Sequence, residues 1–493
     1  MSHLLKKSKN IIFFIKLFLL VPLSIVFFKV IYDYSGKKII YFLFSAISFY
    51  LVSFSLRKKA LFFETFLGVY LFLGFWFKFS LIIFLDKGFT EGVNIDLVRV
   101  ETHYDYALLV SSVGFLAFII AGHIRELLIY YPSKITKPSK NDFYQKYRKT
   151  ILIIFLALIV FVCFFNWHLK IYQRGLVGEP YNFIISGTVK TALLYGLSLC
   201  SAIIFFLELS TFKKLFPLTI FLALMEAFMS SVSMLSRGMI FNIGSLFFGL
   251  YKFSNKIQIT LNLKFFLKVF SILLILFYIS VNIVNYIRIN ISNSAIPTDQ
   301  QLSLSQNNSK NVSNVKELTK RNFSFKEFSH LLIHRWVGMD AVLIVSAHKE
   351  ILNLDFFNKS LKEKFSLKHH SFYETSFNLK PTDQFKLSTL VKGNTLPGLI
   401  AFLFYSGSFT FLFFSMMLIS FFASILEFAS FKLFDHNLLL TAVIGQTIAY
   451  RFAHFGYLPS QSYLLFGSII IIIFLMYSIK KIFSKYKFFN IKK

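Results

Sequence analysis

Two cysteines in 493 residues, Cys163 and Cys200, both inside apolar runs, supply neither a disulfide framework nor a thiolate metal site. Charge is scarce as well. Only 15% of residues are charged, and these are lopsided, with 53 Lys and Arg against 23 Asp and Glu. No Gly-rich phosphate loop, GxSxG elbow or acidic metal-binding repeat occurs, which removes support for a nucleotide-driven transporter or a serine hydrolase. His330 and His334 have the spacing of two helical metal ligands, but Leu331 stands where an HExxH motif has glutamate and no third ligand is evident. No metal is expected.

What the chain has instead is apolar surface. Hydrophobic residues make up 56%, with 67 Phe, and mean hydropathy is +0.64. This is the profile of a polytopic membrane protein, in which the bilayer takes the place of water around most side chains. The formal charge of +30 sits at the ends of apolar runs, so it reads as membrane topology with anionic lipid headgroups as partners, and not as a nucleic-acid surface. Lys6, Lys7 and Lys9 precede a long apolar run with no small-residue cleavage site, the pattern of a retained first span.

A spanning helix needs roughly 20 mostly apolar residues. Twelve candidates meet that measure, at about 11–31, 39–56, 60–85, 105–122, 151–168, 183–207, 216–235, 239–251, 265–287, 397–428, 437–453 and 461–479. With the N-terminus inside, the inside segments hold 25 Lys and Arg and the short outside loops hold 8. The positive-inside rule then puts both termini in the cytoplasm. The expected fold is all-α, with residues 1–287 carrying nine spans, residues 288–395 forming one large external loop, and residues 396–493 carrying three more.

Within that loop, residues 292–316 have almost no large apolar side chain and read as a mobile stretch. Ser324 to Glu327 match a capping box. Phe328, Leu332, Arg335, Met339, Val342 and Val345 follow at three- and four-residue steps, which predicts an amphipathic helix over about 325–349.

The polar residues that could carry chemistry lie mostly at the outer ends of spans. Arg237, in MLSRGMIF (234–241), sits at the turn between the seventh and eighth spans, Arg288 leaves the ninth on the same side, and Arg335 lies on the loop helix. A guanidinium fork matches phosphate oxygens bidentately and stays charged at any working pH, which suits three converging arginines to a lipid pyrophosphate; arginines at span ends also snorkel to headgroups. His334 or Asp340 could take a proton from an acceptor hydroxyl, and a continuous helix would put His334 and His348 on one face. Arg174, Arg451 and His454, the last two an i, i+3 pair in YRFAHFG (450–456), are secondary candidates. Glu226 lies deep in the seventh span and should face the bundle interior with a partner.

SRG (236–238), HRWVGMDAV (334–342) and TLPGLIAFLFYSGSF (395–409), set among many spans and one large external loop, make the chain resemble the bacterial O-antigen polymerase family, the oligosaccharide repeat-unit polymerases. The resemblance implies a metal-independent, membrane-embedded glycosyltransferase without a cofactor, working in the bacterial inner membrane at the periplasmic face. It would move a growing chain from undecaprenyl pyrophosphate onto the next lipid-linked repeat in the biosynthesis of surface polysaccharide such as lipopolysaccharide. A chain-length regulator is among the partners it implies. By matched position, Arg237, Arg288 and Arg335 would hold the pyrophosphate, and His334 or Asp340 would serve as base. The alternatives are an O-antigen ligase, which uses the same donor, and a flippase or transporter of lipid-linked sugars, for which paired internal repeats would be expected and none is found.

Overall fold

In the computed structural model the described residues are 20–86, 103–129, 131–132, 141–174, 182–236, 238, 240–257, 263–294, 336–363, 371–377, 379, 396–456 and 459–485. Every element among them is helical. Among the described residues seven helices are long and apolar enough to cross a membrane: Lys38–Ser55, Phe62–Phe84, Tyr104–Leu128, Asp142–Leu169, Phe183–Phe212, Lys264–Arg288 and Phe409–Leu433. Pro217–Ser233, Leu438–Ala453 and Ser462–Ser478 are shorter apolar helices.

The Leu438–Ala453 helix is the hub. It packs on Ile240–Ile257, Phe62–Phe72, Leu197–Phe212 and Phe409–Leu433, and all of its side chains are buried except Tyr450 and Arg451. Because protein surrounds it, its faces need not be uniformly apolar, and Thr441, Gln446 and Thr447 sit in its middle. Sixteen residues make it about 24 Å long, short of a hydrocarbon core of roughly 30 Å. Room beyond its C-terminal turn is taken by non-spanning segments: the amide of Gly398 donates to the Phe455 carbonyl at 2.9 Å, and Trp336 stacks near Tyr70.

One end of the bundle is cross-braced by ion pairs. Arg125, fully buried, donates to both oxygens of Glu64, and Arg57 joins Glu64 to Glu126. The first amides of the Phe62–Phe84 helix, Phe62 and Phe63, would be orphan donors. Both donate to Glu427 of a distant helix, at 2.7 and 2.6 Å. At the same end of the neighbouring helices, Glu208 accepts from Arg148, Thr219 and the amide of Phe216.

Two spans contain a wide π turn, at Leu73–Phe77 and Ala192–Gly196. The first includes Gly74, where an added Cβ would lie 2.1 Å from the Val337 carbonyl oxygen. Opposite it, Gly338 has φ +152°, and a Cβ there would meet the Phe75 ring at 2.4 Å. The two glycines let backbone lie directly on backbone, and they overturn part of the expected loop helix. Trp336–Gly338 is not helical, and the helix runs only from Met339 to Ala347 among the described residues; 325–335 lie outside them. Nor is this helix amphipathic: all nine side chains are buried, packed against Tyr104–Leu128 and Gly398–Leu403.

Two further boundaries differ from the sequence reading. The tenth candidate, 397–428, is divided: a short Gly398–Leu403 helix and a 3-10 turn end at Gly407, whose φ of +69° breaks the run, before Phe409–Leu433 begins under a Ser408 cap. Leu263–Ser294 runs six residues past Arg288, where the loop was expected to start.

Candidate functional site: a cation-lined cleft

Where the short helices end, Tyr172, Arg174, Lys190, Gly238, Asn242, Gln446, Tyr450 and Arg451 are among the residues lining a cleft of about 480 Å³, a volume that includes the solvent at its open mouth. Among the described lining residues three are cations and none is a carboxylate.

Each cation is positioned by local structure. The Arg174 amide donates to the Met234 carbonyl at 2.8 Å, which pins the turn after Asp142–Leu169 to the end of Pro217–Ser233. Its guanidinium Nη1 donates to the Tyr450 hydroxyl at 3.1 Å. That hydroxyl reaches Arg174 because residue 238 is glycine; a Cβ would lie 2.6 Å from it. Arg451 Nε donates to the buried Ser462 hydroxyl at 2.8 Å. Lys190 lies 4.8 Å from the centre of the Tyr172 ring.

The clustering perturbs the phenol and imidazole. Burial pushes the Tyr172 phenol up, but Lys190, then Arg174 and Arg451, pull it down further, to about 8. Burial opposes the charge on Arg174, yet the Tyr450 and Tyr172 oxygens outweigh it and raise its pKa. His454 stacks on Tyr450 with ring centres 4.1 Å apart and donates from Nδ1 to the Tyr450 carbonyl. Burial, reinforced by Arg174 and Arg451 against that hydrogen bond, drives its pKa down to about 4, so the imidazole is neutral at physiological pH.

Of the three arginines expected to converge on phosphate, Arg237 and Arg335 lie outside the described residues, as do His330 and His334. Arg288 is described: its guanidinium donates to the carbonyls of Arg174 and Leu235, at 2.8 and 2.7 Å. Leu235 has φ +51°, so Arg288 secures a left-handed turn and holds the cleft's rim by its backbone. Asp340 is ion-paired with the fully buried Lys78, which also donates to the Trp336 carbonyl at 3.0 Å. The pair anchors the inserted segment. His348 ends the helix, its Nδ1 donating to the Ile344 carbonyl, and its ring packs on Phe377. The break at 336–338 removes the continuous face that would have joined it to His334.

Glu226 has the interior position expected of it, with hydroxyl partners: Ser198 at 3.2 Å and Ser230 at 3.3 Å. Arg174, Arg451 and His454 meet at the cleft. Lys190, Tyr172, Asn242, Gln446 and Tyr450 were missed by sequence reasoning. A usable signal existed, since Lys190, Asn242 and Gln446 are polar groups inside apolar spans, where desolvation is costly unless a partner or ligand offsets it.

Comparison of the chain with models of protein families, with curated proteins and with solved structures finds no match.

Proposed function

We propose that this chain is a metal-independent glycosyltransferase that polymerises undecaprenyl-pyrophosphate-linked oligosaccharide repeat units at the periplasmic face of the bacterial inner membrane. Its twelve spans, both termini cytoplasmic, would open the cleft to the outer side. The observation that carries the reading is the cleft lining of Arg174, Lys190 and Arg451 without a described carboxylate, a charge arrangement suited to a diphosphate. Arg174, Arg237, Arg288 and Arg451 all fall on the outer side of the positive-inside assignment, whereas Arg57, Arg125, Lys252 and Lys256 fall on the inner side.

In this reaction the bond between the anomeric carbon and the diphosphate oxygen breaks, and a new bond forms to a hydroxyl of the next repeat. Lipid diphosphate leaves with its charge held by the cations, and the hydroxyl proton passes to a base. Arg237, next to Gly238, and Arg335, next to Trp336, are further candidates to grip phosphate, while Arg288 supports the rim. His334 is retained as base. Asp340, paired with Lys78, is the weaker choice.

The test is surface polysaccharide from a deletion strain carrying variants. Arg174→Lys and Arg451→Lys keep charge but lose the fork. Each should lower long-chain product by about one to two decades, from a lost charge-assisted pair of roughly 1.5–3 kcal/mol, with normal membrane levels. Wild-type chain lengths in both would overturn the site. In the deletion strain, loss of long chains with one repeat still on the core supports a polymerase, and complete loss of capped core supports a ligase.

A further inference from the structure

The cleft also carries acceptors. Asn242 is 3% exposed, and its Nδ2 donates to the Leu194 carbonyl at 2.7 Å and to the Ser198 hydroxyl at 3.3 Å. A carbonyl can only accept, so the amide's orientation is fixed. Ser198 in turn donates to Glu226, which leaves its oxygen free to accept from Asn242 and gives the chain one direction. Both amide hydrogens are thus committed at the rear, and Asn242 Oδ1 has no hydrogen-bond partner among the described residues. Gln446, 1% exposed, lines the same cleft; its Nε2 meets the Tyr70 hydroxyl at 3.3 Å and its buried Oε1 is unmet. A buried acceptor left unmet, as Gln446 Oε1 is, is costly, and in a native structure calls for a ligand or an ordered water.

Three cations exclude a cationic donor. A ligand that supplies the donor here would therefore carry a neutral hydroxyl or amide N–H beside its anionic group. We propose that Asn242 and Gln446 read the sugar next to the diphosphate, so that the site takes a glycosyl diphosphate and contacts a hydroxyl or acetamido N–H near the anomeric carbon. This rests on the reading of the cations as a diphosphate site. A phosphatidylglycerol headgroup presents the same chemistry, phosphate plus hydroxyls, from another source.

The test uses the full chain in phosphatidylcholine nanodiscs and three probes: inorganic pyrophosphate, farnesyl diphosphate, and farnesyl diphosphate carrying N-acetylglucosamine. The glycosylated probe should bind roughly three- to tenfold more tightly than farnesyl diphosphate, the range of one or two neutral hydrogen bonds. Asn242→Leu should erase that difference and leave farnesyl diphosphate affinity unchanged. Gln446→Met, near in volume, should act in the same direction and serves if Asn242→Leu does not fold. Equal binding of the two prenyl probes by wild type, or a parallel loss of both in the variants, would overturn the sugar assignment while the diphosphate reading stands. Farnesyl diphosphate and pyrophosphate binding that is indifferent to Arg451→Gln would overturn the diphosphate reading itself. Phosphatidylglycerol in the disc competing as strongly as unlabelled glycosylated probe would replace the sugar with a lipid headgroup.

Discussion

Arg125, fully buried, and Arg174, half-buried, are placed at different levels of one helical bundle with different surroundings. Around Arg125 stand Glu64 and, through Arg57, Glu126, so each charge taken out of the solvent has an opposite charge beside it. Around Arg174 stand two phenols, a lysine and a second arginine. Burying a charge is costly unless it is paired, and like charges together add to the cost. The first arrangement is what a bundle needs in order to stay assembled. The second is understandable where an anion completes the site, so the kind of neighbour, more than the residue type, separates bracing from binding.

The comparison breaks most visibly at Glu64. Glu64→Gln leaves fully buried Arg125 without its carboxylate and should destabilise the protein by about 3–5 kcal/mol, read as lost thermal stability in detergent. Melting like wild type would mean that the ion pairs are not the brace. The inserted segment extends the rule. Asp340→Asn should cost several kcal/mol by taking the carboxylate away from buried Lys78, and combining Asp340→Leu with Lys78→Met should restore much of the stability. Polysaccharide output from that double variant sharpens the assignment, because recovery marks Asp340 as an anchor, and a stable but inactive double variant marks it as a base.

At the cleft the sign reverses. Arg451→Gln relieves repulsion and can keep a donor toward Ser462, so stability should stay within about 1 kcal/mol of wild type while, on the proposed polymerase function, chain length collapses. A large drop in melting temperature would place Arg451 with the braces. The smallest effect concerns pH. As pH rises through about 8, Tyr172 ionises and its negative charge offsets one of the cations, so pyrophosphate should bind less tightly above that pH, by a few-fold. Below it Tyr172 is neutral and affinity is at its full value. Tyr172→Phe should remove the dependence, measured by calorimetry across pH 7–9; an unchanged dependence would put the titrating group elsewhere.

Most of the helices could be read directly from apolar runs, because a bilayer demands length and hydropathy and little else. Two interruptions could not. Met339–Ala347 is as apolar as a span, and the left-handed turn at Gly338 that starts it depends on Gly74 and Phe75, more than 250 residues away. Gly407 likewise turns against Leu352, whose carbonyl an added Cβ would meet at 2.9 Å. The cleft was half legible. Arg174 and Arg451 stand out at span ends, but Arg288 looks identical in sequence and faces backbone carbonyls. Lys190 is hidden because its span tolerates one charge in the hydropathy average. What joins them is tertiary: residues 174, 190, 238, 242 and 451 meet only because three short helices end together.

The wide turns at Leu73–Phe77 and Ala192–Gly196 bear on how the chain could have arisen and how it tolerates deletion. A π turn is in effect an α-helix with one residue inserted. Removing a single residue from either stretch would close the wide turn into a regular helix of nearly the same length and hydropathy, and because the wide turn had absorbed the extra residue, the side chains beyond it would keep nearly the same faces. The same deletion from a regular helix would rotate everything beyond it by about 100° about the axis. A variant shortened by one residue in these stretches should therefore insert and keep Lys78 beside Asp340, or Ser198 beside Asn242 and Glu226, whereas one shortened by one residue in the middle of Tyr104–Leu128 should insert and fail.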